Sequence, residues 1–304
     1  MILDMVFYKA STKVTFVPKL SLLLLEEFVS SGNARMPHLD KNIMRLQLLV
    51  STMNQTDFRL IEKMNISSDA LFINQCDCFK HHVFEDQGRL IEWYSFPERG
   101  IGLSRNNALI RASGDILLFA DDDVTYKDGY SDIVISEFER LTQADIIIFN
   151  VPSTNPERAE YLNSRTKRLH FFNCLRYGTF RIAVRAESIY RKRICFSRLF
   201  GGGSRYGSGE DSIFLMDCVR NGLRLYASPE VIGNVSHGAS SWFSGYTEKY
   251  FYDKGALFAG LSDHFAHILC LQFCLRHSDM MTEFSLSDAY KVMQKGINDF
   301  RKGI

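Results

Sequence analysis

Arg111-Ala-Ser-Gly-Asp-Ile-Leu-Leu-Phe-Ala-Asp-Asp-Asp-Val-Thr125 is the stretch on which the reading of this chain turns. Its apolar run, Ile116 to Ala120, is entered through Gly114 and Asp115 and left through three consecutive carboxylates. A short all-apolar run bounded by turn formers suits an inner strand of a parallel sheet covered on both faces. Ligands of open α/β sheets gather at the carboxyl ends of such strands. Asp121, Asp122 and Asp123 stand at that end and repel one another unless a cation neutralises them, and hard carboxylate oxygens suit Mg²⁺ or Mn²⁺. A solvated acidic turn is the other reading of the same three residues.

Upstream, Leu46 to Val50 reads as a strand running into Ser51, Thr52, Met53 and Asn54. Ala70 to Ile73 reads as a second, ending at Asn74, Gln75, Cys76 and Asp77, and the amphipathic segment Asp57 to Met64 between them predicts a helix and hence a βαβ unit. A third strand, Leu90 to Phe96, leads into Pro97-Glu-Arg-Gly-Ile-Gly-Leu-Ser-Arg-Asn-Asn-Ala-Leu109. Ser104 is placed to cap a helix from Arg105 to Ala112 that Gly114 stops. Gly100 and Gly102 mimic a dinucleotide fingerprint, but Arg105 occupies its third glycine position. An arginine at a helix start can hold a phosphate through its guanidinium and the backbone amides, or be a plain surface residue.

Downstream, Ser131 to Leu141 predicts a helix and Asp145 to Phe149 another buried strand. Two basic runs follow: Arg158, Arg165, Lys167 and Arg168, then Arg191, Lys192, Arg193 and Arg198. Such runs are solvated faces in most proteins; facing one way, they would attract a membrane surface or a diphosphate. The glycine-rich Gly201 to Gly209 hands over to Glu210, Asp211 and an amphipathic helix ending at Asn221-Gly222. That order suits a mobile loop that closes over a substrate beside a fixed carboxylate, although acidic residues also simply stabilise helix starts. Arg224 to Ala227 is strand-like, and His237 follows the segment Val231 to Ser236. Residues 238–304 are mostly helical by period and rich in aromatic residues whose expected place is the core.

The chain has 304 residues with 36 basic and 35 acidic side chains, so no global field marks it as a nucleic-acid binder and no nucleic-acid partner is expected. Seven cysteines without paired CxxC spacing predict reduced thiols and a cytoplasmic setting. No apolar stretch is long enough to span a bilayer, and Leu20 to Leu25 is too short for a signal peptide.

Taken in order, the βαβ start, the Arg-Gly-x-Gly-x-Ser-Arg-Asn-x-Ala-Leu segment, Gly-Asp-Ile-Leu-Leu-Phe-x-Asp-Asp-Asp and the later Gly-x-Gly-Glu-Asp resemble the family 2 glycosyltransferases of the GT-A fold. The resemblance covers residues 42–237. It implies a Rossmann-like α/β domain with a mostly parallel sheet flanked by helices, preceded by an arm (1–41) and followed by a helical extension (238–304). It also implies a metal-dependent, inverting transfer of a hexosyl or N-acetylhexosaminyl group from a nucleotide-sugar, with UDP as the expected nucleotide. The acceptor would be a hydroxyl of a saccharide or lipid-linked saccharide in surface polysaccharide synthesis, handled in the cytoplasm or at the inner face of a membrane. Carried across, Asp211 is the general base with Glu210 beside it. Ser51, Thr52, Asn54, Gln75, Asp77, Arg105, Asp121 and Asp122 contact the donor, and Asp123, Asp121 and His237 ligate Mn²⁺ or Mg²⁺. A sugar-1-phosphate nucleotidyltransferase and a silent scaffold of a polysaccharide assembly complex are the competing readings. The first lacks a glycine-rich basic loop after its first strand, and the second has no need of both acidic sets.

Overall fold

The structure is a computed structural model that describes residues 44–158, 160–236, 245–278 and 285–303. The chain divides between Ile43 and Met44 into two compact units, and the first of these, with the predicted arm, lies outside the described residues.

The elements run β1 (Leu46–Met53), α1 (Leu60–Lys63), β2 (Asp69–Gln75), β3 (Lys80–Asp86), β4 (Arg89–Phe96), α2 (Ile101–Arg111), β5 (Ile116–Asp121) and β6 (Val124–Tyr126). They continue with α3 (Tyr130–Arg140), β7 (Ile146–Asn150), β8 (Lys167–Leu169), β9 (Ile182–Arg185), α4 (Ala186–Lys192), α5 (Glu210–Arg220), β10 (Leu225–Val231) and β11 (Gly233–Val235). Three helices close the described chain: α6 (Glu248–Leu261), α7 (Ala266–Arg276) and α8 (Leu286–Lys302).

Nine strands form one sheet in the order β3-β4-β2-β1-β5-β9-β7-β10-β8. β4, β2, β1, β5, β7 and β10 point one way, and β3, β9 and β8 run against them. The expected mostly parallel sheet is thus present, with helices on both faces. Alternation within β5 shows why the apolar run had to be continuous: Ile116, Leu118 and Ala120 face a core with Leu60 of α1, Met64 just after it, and Val134 and Phe138 of α3. Leu117 and Phe119 face the opposite core, with Ala108 of α2 and Phe214 and Leu215 of α5.

Not every strand was legible, β3 and β9 among those missed. β3 forms a hairpin with β4 through Gln87 (φ 49°) and Gly88 (φ 80°), a pair of left-handed residues that suits a two-residue turn. Its His81-His82-Val83-Phe84-Glu85 text lacks an apolar alternation because this edge strand is largely exposed. β9 is only four residues long and inserts antiparallel between β5 and β7, so the two buried strands read from sequence are not neighbours. The predicted helix over 57–64 shrinks to the single turn Leu60–Lys63.

The three C-terminal helices share a core of Phe251, Ala259, Cys270, Cys274, Met293 and Ile297. Their closest approach needs glycine. A Cβ on Gly255 would lie 2.0 Å from the Met293 carbonyl oxygen, and one on Gly296 would lie 2.1 Å from that of Tyr252. Gly296→Ala must push α8 off α6, and overpacking of this kind costs about 1–3 kcal/mol. A lowered melting temperature is the expected result, and an unchanged one would show that the helices can slide apart freely.

Candidate active site

Parallel register brings the carboxyl ends of three strands together, with Ser51 beside both Asp121 and Ile73, and Thr52 beside Asn74. Asp121 ends β5, and Asp122 and Asp123 form the turn into β6. The Thr52 hydroxyl donates to an Asp122 carboxylate oxygen at 2.5 Å and itself accepts from the Gln55 amide at 3.0 Å. The Asp123 carbonyl accepts the Ser236 N–H at 3.0 Å, which ties the far end of the β6–β11 pair to the acidic turn. His237 lies outside the described residues.

Arg105 is not at a helix start. α2 begins at Ile101, because a Gly100 at φ 115° and a Gly102 whose Cβ would lie 2.2 Å from the Ser197 carbonyl oxygen let the chain turn and pack one turn earlier than Ser104 suggests. Ser104 lies inside the helix with its hydroxyl 2.9 Å from that of Ser51. Arg105 therefore points from the second turn into the molecule, 4% exposed. Its guanidinium donates to Asp121 at 2.9 Å and to Glu210 at 2.7 Å, while Nε is buried without a partner. Burial opposes its charge, but Asp121 and then Glu210 outweigh burial and hold the guanidinium above its ordinary value.

Glu210 and Asp211 open α5, as expected. Burial, then the charge of Glu210, push the Asp211 carboxyl up to about 6, against the Ser212 N–H, Arg105 and Lys254, which favour ionisation. A carboxyl poised near neutrality at the edge of a sheet is suited to taking a proton.

Comparison with known proteins agrees with this geometry. Residues 77–196 match the family model for glycosyl transferase family 2. Over that segment the chain is similar to the family 2 glycosyltransferases. Among solved structures, the chain is similar to S. aureus TarS 1–349 in complex with UDP-GlcNAc, at 13% identity and a TM-score of 0.55, covering 86% of this chain and 92% of that one. S. aureus TarS in its longer form matches at 14% identity and a TM-score of 0.56, over 84% of this chain and 50% of that one. At such identities the likeness is one of fold, the GT-A fold. No curated protein sequence matches the chain.

Outside the matched segment, α6 reaches back to the loop before Asp211. The buried Asp253 carboxylate accepts the Gly207 N–H at 2.9 Å and pairs with Lys249 at 2.8 Å. Further backbone bonds, Gly201 N–H to Tyr206 O at 2.8 Å and Ile101 N–H to Gly202 O at 2.9 Å, fasten residues 201–207 on both sides. The glycine-rich segment that reads as a closing lid is thus a pinned loop. Asp253 is a positioning residue for it, so Asp253→Ala should lower kcat several-fold with little change in donor affinity. An equal loss in both would show general unfolding instead. Lys254, the next residue, brings a cation towards Asp211, and burial holds it below the ordinary lysine value.

The remaining expected donor residues divide. Ser51, Thr52 and Gln75 are buried, and the Gln75 amide donates to the Gly100 carbonyl at 3.1 Å and Glu98 at 3.4 Å. Asn54 takes a left-handed φ of 54° and binds the Gln75 carbonyl through its N–H at 3.0 Å. Asp77 pairs with Arg99 at 2.9 Å, and Asp77, Pro97, Glu98 and Arg99 line an open cavity of about 520 Å³. Sequence reasoning passed over Glu98 and Arg99, which were legible only as the lead-in to a helix, although they follow a strand end just as Asp77 does.

The acidic tip fits a divalent cation by the chemistry of its donor set. Among the described residues no three His, Cys, Asp or Glu side chains form a metal cage. Mg²⁺ commonly needs none, being held by one or two carboxylates together with substrate phosphates. Arg105 takes one oxygen of Asp121, and Asp122 and Asp123 follow it on the same turn.

Proposed function

We propose that this glycosyltransferase moves a sugar from a UDP-sugar to a hydroxyl of a saccharide or lipid-linked saccharide acceptor, inverting the anomeric centre, in surface polysaccharide synthesis. The observation that carries the reading is the bridge made by Arg105. One buried guanidinium holds Asp121, at the leaving-group end, and Glu210, beside the base Asp211. The two ends of a displacement reaction are thereby kept in register.

Asp211 would accept the acceptor's proton as its oxygen attacks the anomeric carbon, and with no second carboxylate needed as a nucleophile the centre inverts. Asp121 and Asp123, with His237, would hold Mn²⁺ or Mg²⁺, which when bound neutralises the departing diphosphate. Ser51, Thr52, Asn54, Gln75 and Asp77 would frame the base at the cavity of Glu98 and Arg99, and the unpartnered Nε–H of Arg105 would meet a donor oxygen. The UDP-GlcNAc in the similar TarS structure supports a UDP-sugar. Unpaired cysteines support a cytoplasmic setting. No helix among the described residues is long and apolar enough to cross a membrane.

A thermal-shift screen of UDP-, GDP-, dTDP- and CDP-sugars with Mn²⁺ tests the donor, since stabilisation grows with the logarithm of ligand concentration over Kd. UDP-sugars should raise the melting temperature most, and a response to another nucleotide alone would overturn the assignment. The base predicts the pH dependence. Transfer should fall on the acid side with a midpoint near 6, the value to which Asp211 is pushed, and a flat profile down to the ordinary carboxylate range would remove Asp211 as base.

A further inference from the structure

Between β7 and β9 the chain runs over a surface that the transfer reaction does not use. Residues 158–176 contain five cations, Arg158, Arg165, Lys167, Arg168 and Arg176, against one carboxylate, Glu160. That carboxylate is occupied by Arg181 at 2.6 Å. Phe172 is 86% exposed, and Leu162 and Tyr161 are 45% and 43% exposed. Lys167 donates to the Tyr161 hydroxyl at 3.0 Å, and the Arg176 guanidinium lies 4.7 Å from the centre of the same ring.

This surface is firmly mounted. The fully buried Arg181 donates to the Phe149 carbonyl at 3.0 Å and to that of Tyr161 at 2.7 Å. Asn150 at the end of β7 binds the Asn163 N–H at 2.8 Å, and Tyr177 donates to the Asn163 side chain at 2.8 Å. Position in the sheet matters as well. β8 is the last strand and pairs antiparallel with β10, with Lys167 opposite Ala227. Chain preceding Lys167 therefore runs towards the carboxyl end of β10, the edge at which Asp121 ends β5.

We propose that Tyr161, Leu162, Arg165, Lys167, Phe172 and Arg176 form a docking face for an anionic lipid surface. Charge complementarity selects an anionic partner, and apolar tips among the cations select a lipid interface over a soluble polyanion, which offers nothing to bury Phe172 or Leu162. Long cationic side chains can lie along the headgroups while the rings enter the boundary below them. Docked there, the catalytic edge would meet an acceptor carried on lipid. The inference rests on the membrane half of the function proposed above and is independent of its donor chemistry.

The full chain is sedimented with vesicles of phosphatidylglycerol and phosphatidylcholine in equal parts, and with phosphatidylcholine alone. The wild type should partition to the mixed vesicles only, less so at raised salt. Arg165→Glu with Arg176→Glu should weaken partition roughly tenfold or more, and Phe172→Ser several-fold. Both variants should keep wild-type melting temperature and wild-type hydrolysis of UDP-sugar without acceptor. Failure of the wild type to sediment, equal binding to neutral vesicles, unchanged partition of both variants, or binding to dextran sulfate without binding to vesicles would each overturn the docking face. Absence of UDP-sugar hydrolysis in all three proteins would instead count against the donor reading and leave the sedimentation result to stand.

Discussion

Asp211→Asn is expected to abolish sugar transfer and, at neutral pH, to make the protein more stable. Activity falls because the amide cannot take the acceptor's proton, and loss of a positioned base costs roughly 10²- to 10⁴-fold in rate. Stability rises because the native environment opposes the charge it contains. Asp211 titrates at about 6 in the folded protein against an ordinary 3.8, owing first to burial and then to Glu210. Over the window between those two values the native state keeps a proton that the unfolded chain has released, so stability falls as pH rises through it. Above it the penalty is complete, on the order of 1–2 kcal/mol once partial solvent contact is allowed for. Asparagine removes the charge and can still accept the Ser212 N–H. A gain of about 2–6 °C in melting temperature is expected at neutral pH, shrinking towards zero in mild acid. Donor binding, read by the UDP-sugar shift, should persist. A variant that transfers sugar normally removes Asp211 as base, and one less stable than wild type at neutral pH shows that the site does not strain its carboxylate.

The layered fold was legible because burial on both faces leaves a continuous apolar run, as in Ile116 to Ala120, and β5 and β7 appear where those runs stand. β9 was not legible because four residues, Ile182 to Arg185, are too few to show a period. The acidic tip and the Glu210-Asp211 pair were legible as carboxylates at element ends. Their connection was not, because nothing local shows that a residue one turn inside α2 reaches both β5 and α5. The same limit hid the part played by α6. Asp253 and Lys249 read as an ordinary ion pair at i, i+4, and only the fold brings them against Gly207. Likewise, Thr52 and Gln75 were read as donor contacts, whereas their own bonds go to Asp122 and Gly100, so their first effect is to fix the pocket's frame.

Arg105→Met should cause the largest loss of stability of any substitution at the site and should inactivate the enzyme at the same time. Among the described residues, the guanidinium is the only counter-charge that hydrogen-bonds Asp121 and Glu210 together. Removing one partner of a buried ion pair costs about 3–5 kcal/mol because the carboxylates left behind keep their desolvation and lose their attraction. Asp121 retains some solvent, with its side chain 33% exposed, so the lower end of that range is expected here. A melting temperature lower by about 6–12 °C follows. Arg105→Lys keeps the charge, but a single ammonium lacks the planar fork that reaches two carboxylates at once, and it should recover part of the stability and little of the rate. Glu210→Gln separates the two effects. In the Arg105→Met background it removes one stranded charge, so stability should recover with a coupling of about 1–3 kcal/mol, while transfer stays lost because Asp121 and Asp211 are no longer held in register. If Arg105→Met instead keeps wild-type transfer, the bridge is a structural ion pair and the two acidic sets work independently. If it loses transfer but melts as the wild type does, the guanidinium serves the donor directly and the carboxylates never depended on it.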